Sequence, residues 1–186
     1  MDATRRDVLK IGGLGALGTV GATVLPWGSA LDAKAPSRLP ADLMPRPFRT
    51  RFVRPDVLRP RKSVRGSDGV WTDHFLINER VGRAEIIPGL RTTVFGYNGQ
   101  VPGPTLNIRQ GRRAVVRVCN HLPARHPVLG QDSTTSVHLH GSASLPQYDG
   151  YASDITPPDS LKDYRYPNFQ PARTLWYHDH GVHHTA

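Results

Sequence analysis

Two His-x-His pairs stand close together in this sequence, in Val137-His138-Leu139-His140-Gly141 and in Leu175-Trp176-Tyr177-His178-Asp179-His180. On a β-strand, residues two apart point to the same face and lie roughly 7 Å apart along the strand. Each pair is therefore predicted to present both imidazoles on one face. If the two strands are neighbours, four imidazoles meet in one small volume. Imidazoles without thiolate partners suit Cu, Zn, Fe or Ni rather than Mg or Ca.

The residues between the histidines support this interpretation. Val137 and Leu139 are predicted to face a core, whereas Trp176 shares the face of the second histidine pair and Tyr177 and Asp179 point away from it. A single His-x-His arises by chance, and a lone buried histidine is usually a hydrogen-bonded core residue. Two pairs, each following a strand-like run, favour a metal site over that alternative.

The body of the chain, residues 70–186, is predicted to be all-β. Short alternating runs are separated by turn signals, which are typical of a Greek-key β-sandwich. The predicted strands include residues 75–77, 91–97, 105–108 and 113–119, and the turn signals include Asn98-Gly99 and Pro102-Gly103-Pro104.

The charge of the chain is concentrated in one segment. The formal net charge is +9, of which residues 31–65 carry +7, whereas residues 1–30 and 66–186 carry +1 each. A basic stripe across a folded face would indicate nucleic-acid binding. Because the body is almost neutral, no nucleic-acid partner is expected.

Residues 1–30 are predicted to be a twin-arginine signal peptide. Arg5 and Arg6 precede an apolar, glycine-rich run, Ile11 to Leu25, which is too short for a stable membrane span of about 20 residues. Twin-arginine signals direct bacterial export, so the expected location is periplasmic or extracellular. Residues 31–69, rich in proline and arginine, are predicted to be a solvated arm or linker.

Further motifs occur in a fixed order: Tyr97-Asn98-Gly99-Gln100-Val101-Pro102-Gly103-Pro104-Thr105, Val118-Cys119-Asn120-His121-Leu122 and the two histidine pairs. Together, over roughly residues 70–186, they resemble the first cupredoxin domain of a multicopper oxidase. Asp149-Gly150-Tyr151 and the Trp-Tyr-His-Asp-His form are similar to the bacterial branch that holds spore-coat laccase, bilirubin oxidase and phenoxazinone synthase.

The resemblance implies copper as the cofactor and assigns a role to each matching residue. It makes His138 a type 2 copper ligand, and His140, His178 and His180 ligands of the paired type 3 coppers. It makes Asp149 an acid that assists proton delivery to reduced oxygen; the alternative is a simple turn residue before Gly150. Five other histidines match no ligand position: His74, His121, His126, His183 and His184.

The sequence departs from the family pattern in what it does not contain. The family completes its trinuclear cluster with four further histidines and places a Cys-and-His type 1 copper in a C-terminal cupredoxin domain. Cys119 has no such histidine context and is predicted to be a small buried filler. The expectation is therefore a partial first domain, truncated after the second pair, which is inactive alone. A separate C-terminal cupredoxin chain could complete it.

In the family, O2 is reduced to water with electrons from a phenol, a bilirubin-like compound or a metal ion, so O2 and such a substrate are the expected partners. Two alternatives come from other classes. One is an exported copper-binding or copper-buffering domain. The other is a cupin-like metalloenzyme, which would need a carboxylate shortly after the first pair; residues 142–145 contain none.

Overall fold

The structure is a computed structural model that describes residues 41–181. The predicted signal peptide, residues 1–30, lies outside the described residues, as do residues 31–40 and 182–186. A compact unit begins at Met44 and contains every strand of the described residues. In the described part of the chain, no helix has the length and apolar character needed to cross a membrane.

The described residues form strands and almost no helix, which confirms the all-β prediction. Short 3-10 turns occur at Ala41–Leu43 and Pro146–Tyr148. The strands are β1 (Val57–Leu58), β2 (Lys62–Arg65), β3 (Trp71–Ile87), β4 (Leu90–Tyr97), β5 (Thr105–Leu106), β6 (Arg113–Asn120), β7 (Val137–His140), β8 (Leu161–Tyr166) and β9 (Trp176–Asp179).

The main sheet is built around the long strand β3. Its order is β2-β3-β6-β8, and β4 pairs with the second half of β3. β3 and β6 are parallel, whereas the other pairs are antiparallel. Phe75 and Ile77 on β3 and Val116 and Val118 on β6 are buried, at most 5% exposed. Their spacing of two is the alternation predicted from the sequence.

Two small sheets, β7-β9 and β1-β5, pack against the core side of this sheet and form a second layer. The core lies between the layers: Val137, Tyr164 and Tyr166 are buried with the apolar side chains of β3 and β6, and Leu139 and Tyr177 pack against them. A fully buried Val, Leu, Ile or Phe side chain contributes about 1.5–3 kcal/mol. One face of β7-β9 is therefore anchored in the core, which leaves its other face for chemistry.

Two buried side chains, Asn120 and Tyr164, fix the loop that leads to β7 and the first residue of that strand. Asn120 is completely buried, and its amide nitrogen donates to the carbonyl oxygens of Ser133 (2.8 Å) and Thr156 (3.0 Å). The phenol oxygen of Tyr164 accepts a hydrogen bond from the backbone N–H of Val137 at 2.9 Å. Buried groups paired in this way hold the loop and the strand in one position.

The structure differs from the sequence-based expectation at four strands, β1, β2, β5 and β8. The predicted arm, residues 31–69, contains β1 and β2. All four side chains of β2 are exposed. The strand is held mainly by backbone pairing with β3. Its side chains therefore show no alternation of apolar and polar residues. β8 is absent from the predicted strands, because its buried Tyr164 and Tyr166 alternate with charged residues. β5 covers Thr105–Leu106 only. The boundary at residue 70 stays a prediction.

Glu79 is a buried carboxylic acid on the core face of β3. Its side chain is 3% exposed, and its carboxylate accepts a hydrogen bond from the Thr135 hydroxyl at 2.7 Å. Burial, with a smaller effect from the negative charge of Asp179, raises the pKa of Glu79 to about 7 despite the opposing hydrogen bond from Thr135. Below about pH 7, the neutral form is therefore favoured in the folded protein.

This buried acid predicts a pH-dependent stability. As pH rises from 4.5 towards about 7, the unfolded chain releases the Glu79 proton while the folded chain retains it, so the free energy of unfolding falls. The loss is on the order of 3 kcal/mol at about 1.4 kcal/mol per pKa unit. Glu79→Gln, which is neutral throughout, should remove this decline between about pH 5 and about pH 8 in urea unfolding.

The matched control is Glu85→Gln, because Glu85 lies on the same strand with an exposed side chain. It should keep the pH dependence of the parent chain. If Glu79→Gln keeps that dependence as well, the buried carboxyl is not the group that causes it.

Candidate metal centre

The two histidine pairs lie on adjacent strands. β7 and β9 are antiparallel, with His138 opposite His178 and His140 opposite Trp176. His180 follows the end of β9, and its backbone N–H donates to the carbonyl of Ser136 at 2.7 Å, which continues the pairing past the strand. Directly opposite residues on one face bring their side chains together, so the register places both pairs on the same side.

The four imidazoles converge, as their spacing predicted. The ring centre of His138 lies 5.6 Å from that of His140, 5.5 Å from that of His178 and 5.1 Å from that of His180. The ring of His178 lies 5.9 Å from that of His140 and 5.7 Å from that of His180. One ring nitrogen each of His138, His140 and His178 lies within 4.8 Å of the others, a spacing suited to holding a metal ion.

Three of the four rings use Nδ1 for a hydrogen bond to the backbone. The acceptor is the carbonyl of Asp149 for His138, that of Gly150 for His180 at 3.0 Å, and that of Asp179 for His178 at 2.7 Å. A carbonyl only accepts, so Nδ1 carries the proton and Nε2 keeps its lone pair. Histidine ligands of metals are commonly held in this way.

The Nε2 atom of His178 shows that the arrangement fits a metal. It is buried and has no hydrogen-bond partner among residues 41–181. A buried nitrogen with no partner is costly in an apolar surrounding. A metal ion at this position would satisfy it. The donor set, imidazoles without thiolate partners, suits Cu, Zn, Fe or Ni.

Trp176 packs against two of the candidate ligands. Its ring is stacked on that of His178, with centres 4.2 Å apart, and on that of His140, with centres 5.1 Å apart. Its side chain is 51% exposed, so it forms part of the surface next to the cluster. The stacking restricts rotation of both imidazoles.

The opposite face of β9 is fixed to the body of the protein. The Tyr177 hydroxyl donates to the carbonyl of Pro104 at 2.6 Å, and its ring meets that of Tyr97 edge-on at 4.8 Å. One oxygen of Asp179 accepts the backbone N–H groups of Ser136 (2.9 Å) and Gly181 (3.0 Å). Tyr177 and Asp179 therefore point away from the imidazoles, as predicted.

Asp149 lies beside the cluster at the end of the turn Pro146–Tyr148. One carboxylate oxygen is 3.6 Å from Nδ1 of His138, and the side chain is 41% exposed. Its carbonyl is the atom that accepts from His138. The residue thus occupies a turn and also brings an acid next to a candidate ligand. A role in proton delivery stays a prediction.

The cysteine and the three other histidines of the described residues lie outside the cluster; these histidines are His74, His121 and His126. His126 packs against Phe95 with ring centres 4.6 Å apart, and its Nδ1 accepts the backbone N–H groups of Val128 and Leu129, so it holds a loop together. Cys119 is half-buried on the outer side of β6, so the prediction of a buried filler is wrong. The reason is that the buried side chain at this point of the strand is Val118. Residues 183 and 184 lie outside the described range.

The residue types do not indicate the contribution of the backbone. The sequence points to the Asp149 carboxyl, whereas the successive carbonyls of Asp149 and Gly150 contact two histidines. The buried acid Glu79 is also absent from the residues predicted to be functional. A signal for Glu79 existed, because this residue continues the alternation of Phe75 and Ile77 on one face of β3.

Residues 80–186, more than half of the chain, match the protein family described as Multicopper oxidase. The chain is 41% identical over 136 residues to a protein named Bilirubin oxidase from Albifimbria verrucaria, a match that covers 71% of this chain and 22% of the relative. It is 30% identical over 132 residues to Multicopper oxidase mco from Staphylococcus aureus, covering 71% of this chain and 26% of the relative. The chain thus spans about a quarter of the length of these relatives.

Solved structures agree with the sequence relatives. A multi-copper oxidase from Pediococcus acidilactici superposes with a TM-score of 0.55 at 25% identity, covering 68% of this chain and 24% of that structure. This match confirms the predicted cupredoxin-like fold. The family implies copper as the metal, and the cluster of His138, His140 and His178 is compatible with it. The chain belongs to the multicopper oxidase family.

Proposed function

We propose that this chain supplies His138, His140, His178 and His180 to a multinuclear copper centre that reduces O2 to water with electrons from a reducing substrate. His138 is assigned to the type 2 copper, and the other three histidines are assigned to the type 3 pair. The observation that carries the proposal is the convergence of the four imidazoles on one side of β7-β9. Family membership supports it.

The protein's own contribution is to hold the ligands in place before a metal arrives. The core anchors the far face of β9 through Tyr177, and Trp176 limits rotation of two rings. Preorganised ligands bind more tightly because less freedom is lost on binding. Bound copper would supply single-electron transfer between its Cu(II) and Cu(I) states.

Asp149 is proposed to handle protons beside the cluster. Its side chain is 41% exposed and lies 3.6 Å from Nδ1 of His138, so it reaches both solvent and the candidate ligands. A carboxyl in this position can take up protons from water and hold them close to the reacting oxygen. This supports the role that the sequence resemblance implies.

The rest of the copper ligands are proposed to come from a second cupredoxin unit, in the same polypeptide or in a separate one. The reducing substrate, a phenol, a bilirubin-like compound or a metal ion, is expected to deliver its electrons through a type 1 copper of that unit. Cys119 cannot serve this purpose, because its neighbours on β6 are Val118 and Asn120 and its side chain points away from the core.

The family match does not favour the cupin-like alternative. A copper-buffering domain without oxidase activity uses the same four histidines, so the two functions differ in what the completed centre does. Oxygen consumption after addition of a polypeptide that carries the other ligands separates them. An oxidase consumes O2 with a phenol, whereas a buffering domain does not.

The proposal predicts copper binding without catalysis by the isolated chain. In equilibrium dialysis, the chain should bind Cu(II), and the double variant His138→Ala/His178→Ala should bind it roughly tenfold or more weakly, because it removes two facing ligands. The copper-loaded chain should show no intense blue absorption, since no thiolate ligates the metal.

His121→Ala is the matched control, since that side chain is exposed and distant in sequence from both pairs. It should bind copper as the parent chain does. Oxidation of a phenol with O2 consumption by the copper-loaded chain, but not by the metal-free chain, would show that the expectation of inactivity is wrong.

Export by the twin-arginine route is a separate proposal, carried by the sequence of residues 1–30. Replacing Arg5 and Arg6 together by lysine should keep the precursor in the cytoplasm, because this route reads the arginine pair. Cell fractionation and immunoblotting measure the outcome. Export that continues unchanged in the double-lysine variant would refute the route but leave the copper centre unaffected.

A further inference from the structure

We propose that Gly150 is a positioning residue of the metal centre. Its carbonyl, together with that of Asp149, fixes the tautomers of His180 and His138, so that both rings present Nε2 to the metal. This inference rests on the proposed copper centre and deepens it. The backbone carbonyls of Asp149 and Gly150 thus orient two ligands, His138 and His180, that come from different parts of the chain.

The two successive carbonyls connect the two histidine pairs. The Asp149 carbonyl accepts from Nδ1 of His138 on β7, and the Gly150 carbonyl accepts from Nδ1 of His180 after β9, at 3.0 Å. The two rings have their centres 5.1 Å apart and are inclined by 33°. One short turn thus sets the orientation of one ring from each pair.

The chemistry of the hydrogen bond determines which nitrogen is available. A carbonyl oxygen accepts only, so a neutral ring that faces it must carry its proton on Nδ1 and keep the lone pair on Nε2. The carboxylate oxygen of Asp149 is 3.6 Å from Nδ1 of His138, farther away than the carbonyl. The backbone, rather than the acid, therefore controls this tautomer.

Only glycine fits at position 150, directly after Asp149. Gly150 has a φ of +71°, and a Cβ placed on it would lie 2.1 Å from the Val137 carbonyl oxygen and 2.6 Å from the backbone nitrogen of His138. Ordinary contact begins near 3.4 Å, so an alanine forces the turn away from β7. Neither carbonyl can then keep its hydrogen bond, because hydrogen bonds weaken steeply beyond their normal length.

Gly130 provides a matched control for the backbone conformation. Its φ is +70°, but a Cβ built on it meets nothing within 4 Å. Gly130→Ala therefore introduces the same left-handed strain without the clash. The difference between the two alanine variants isolates the displacement of the turn.

The test combines ring-nitrogen NMR of the metal-free full chain with copper binding. At about pH 8, 15N shifts report which ring nitrogen carries the proton. The signals are assigned with His138→Gln and His180→Gln. The parent chain and Gly130→Ala should show the Nδ1–H form for both histidines. Gly150→Ala should lose it for both and bind Cu(II) roughly tenfold or more weakly than Gly130→Ala.

Each outcome decides the question. Nε2–H forms of His138 and His180 in the parent chain overturn the inference without any variant, so a Gly150→Ala protein that does not fold leaves it testable. Equal copper affinity of the two alanine variants, or unchanged tautomers in Gly150→Ala, also overturns it. If the parent chain has the expected tautomers but binds no copper, the proposed function fails and the positioning by the turn stands.

Discussion

The pairing register of β7 with β9 is the constraint on which the metal centre depends. His138 stands opposite His178, and both strands alternate between the cluster and the core. A shift of one residue in a strand moves every side chain to the other face. Such a slip would bury two imidazoles and expose Tyr177, so the apolar residues on the core side and the histidines on the other side favour the same register.

Several contacts outside the cluster hold this register. The carbonyl of Pro104 accepts the Tyr177 hydroxyl, Asp179 ties the end of β9 to Ser136, and Tyr164 binds the first residue of β7. Each net hydrogen bond contributes about 0.5–1.5 kcal/mol. Because they act on both strands at separate points, they resist sliding more than any one contact could. The positions of the imidazoles thus depend on contacts that lie in the core and at the ends of β7 and β9.

Much of the site could be predicted from the sequence because strand periodicity acts over two or three residues. His138 and His140 had to share a face once Val137 and Leu139 faced the core. The Asp149 and Gly150 carbonyls could not be predicted in this way, since a carbonyl belongs to every residue and only the fold decides where it points. β2 was missed for a related reason. Its exposed side chains follow no pattern, and its pairing with β3 depends on the backbone.

The most direct test of this account is copper-edge anomalous diffraction from crystals of the copper-loaded chain. The account predicts anomalous density on the imidazole side of β7-β9, within bonding distance of ring nitrogens from both histidine pairs, including Nε2 of His178, which has no partner in the described part of the chain. Copper bound instead at His126, or at the adjacent His183 and His184, with no density shared by the facing residues His138 and His178, would contradict it.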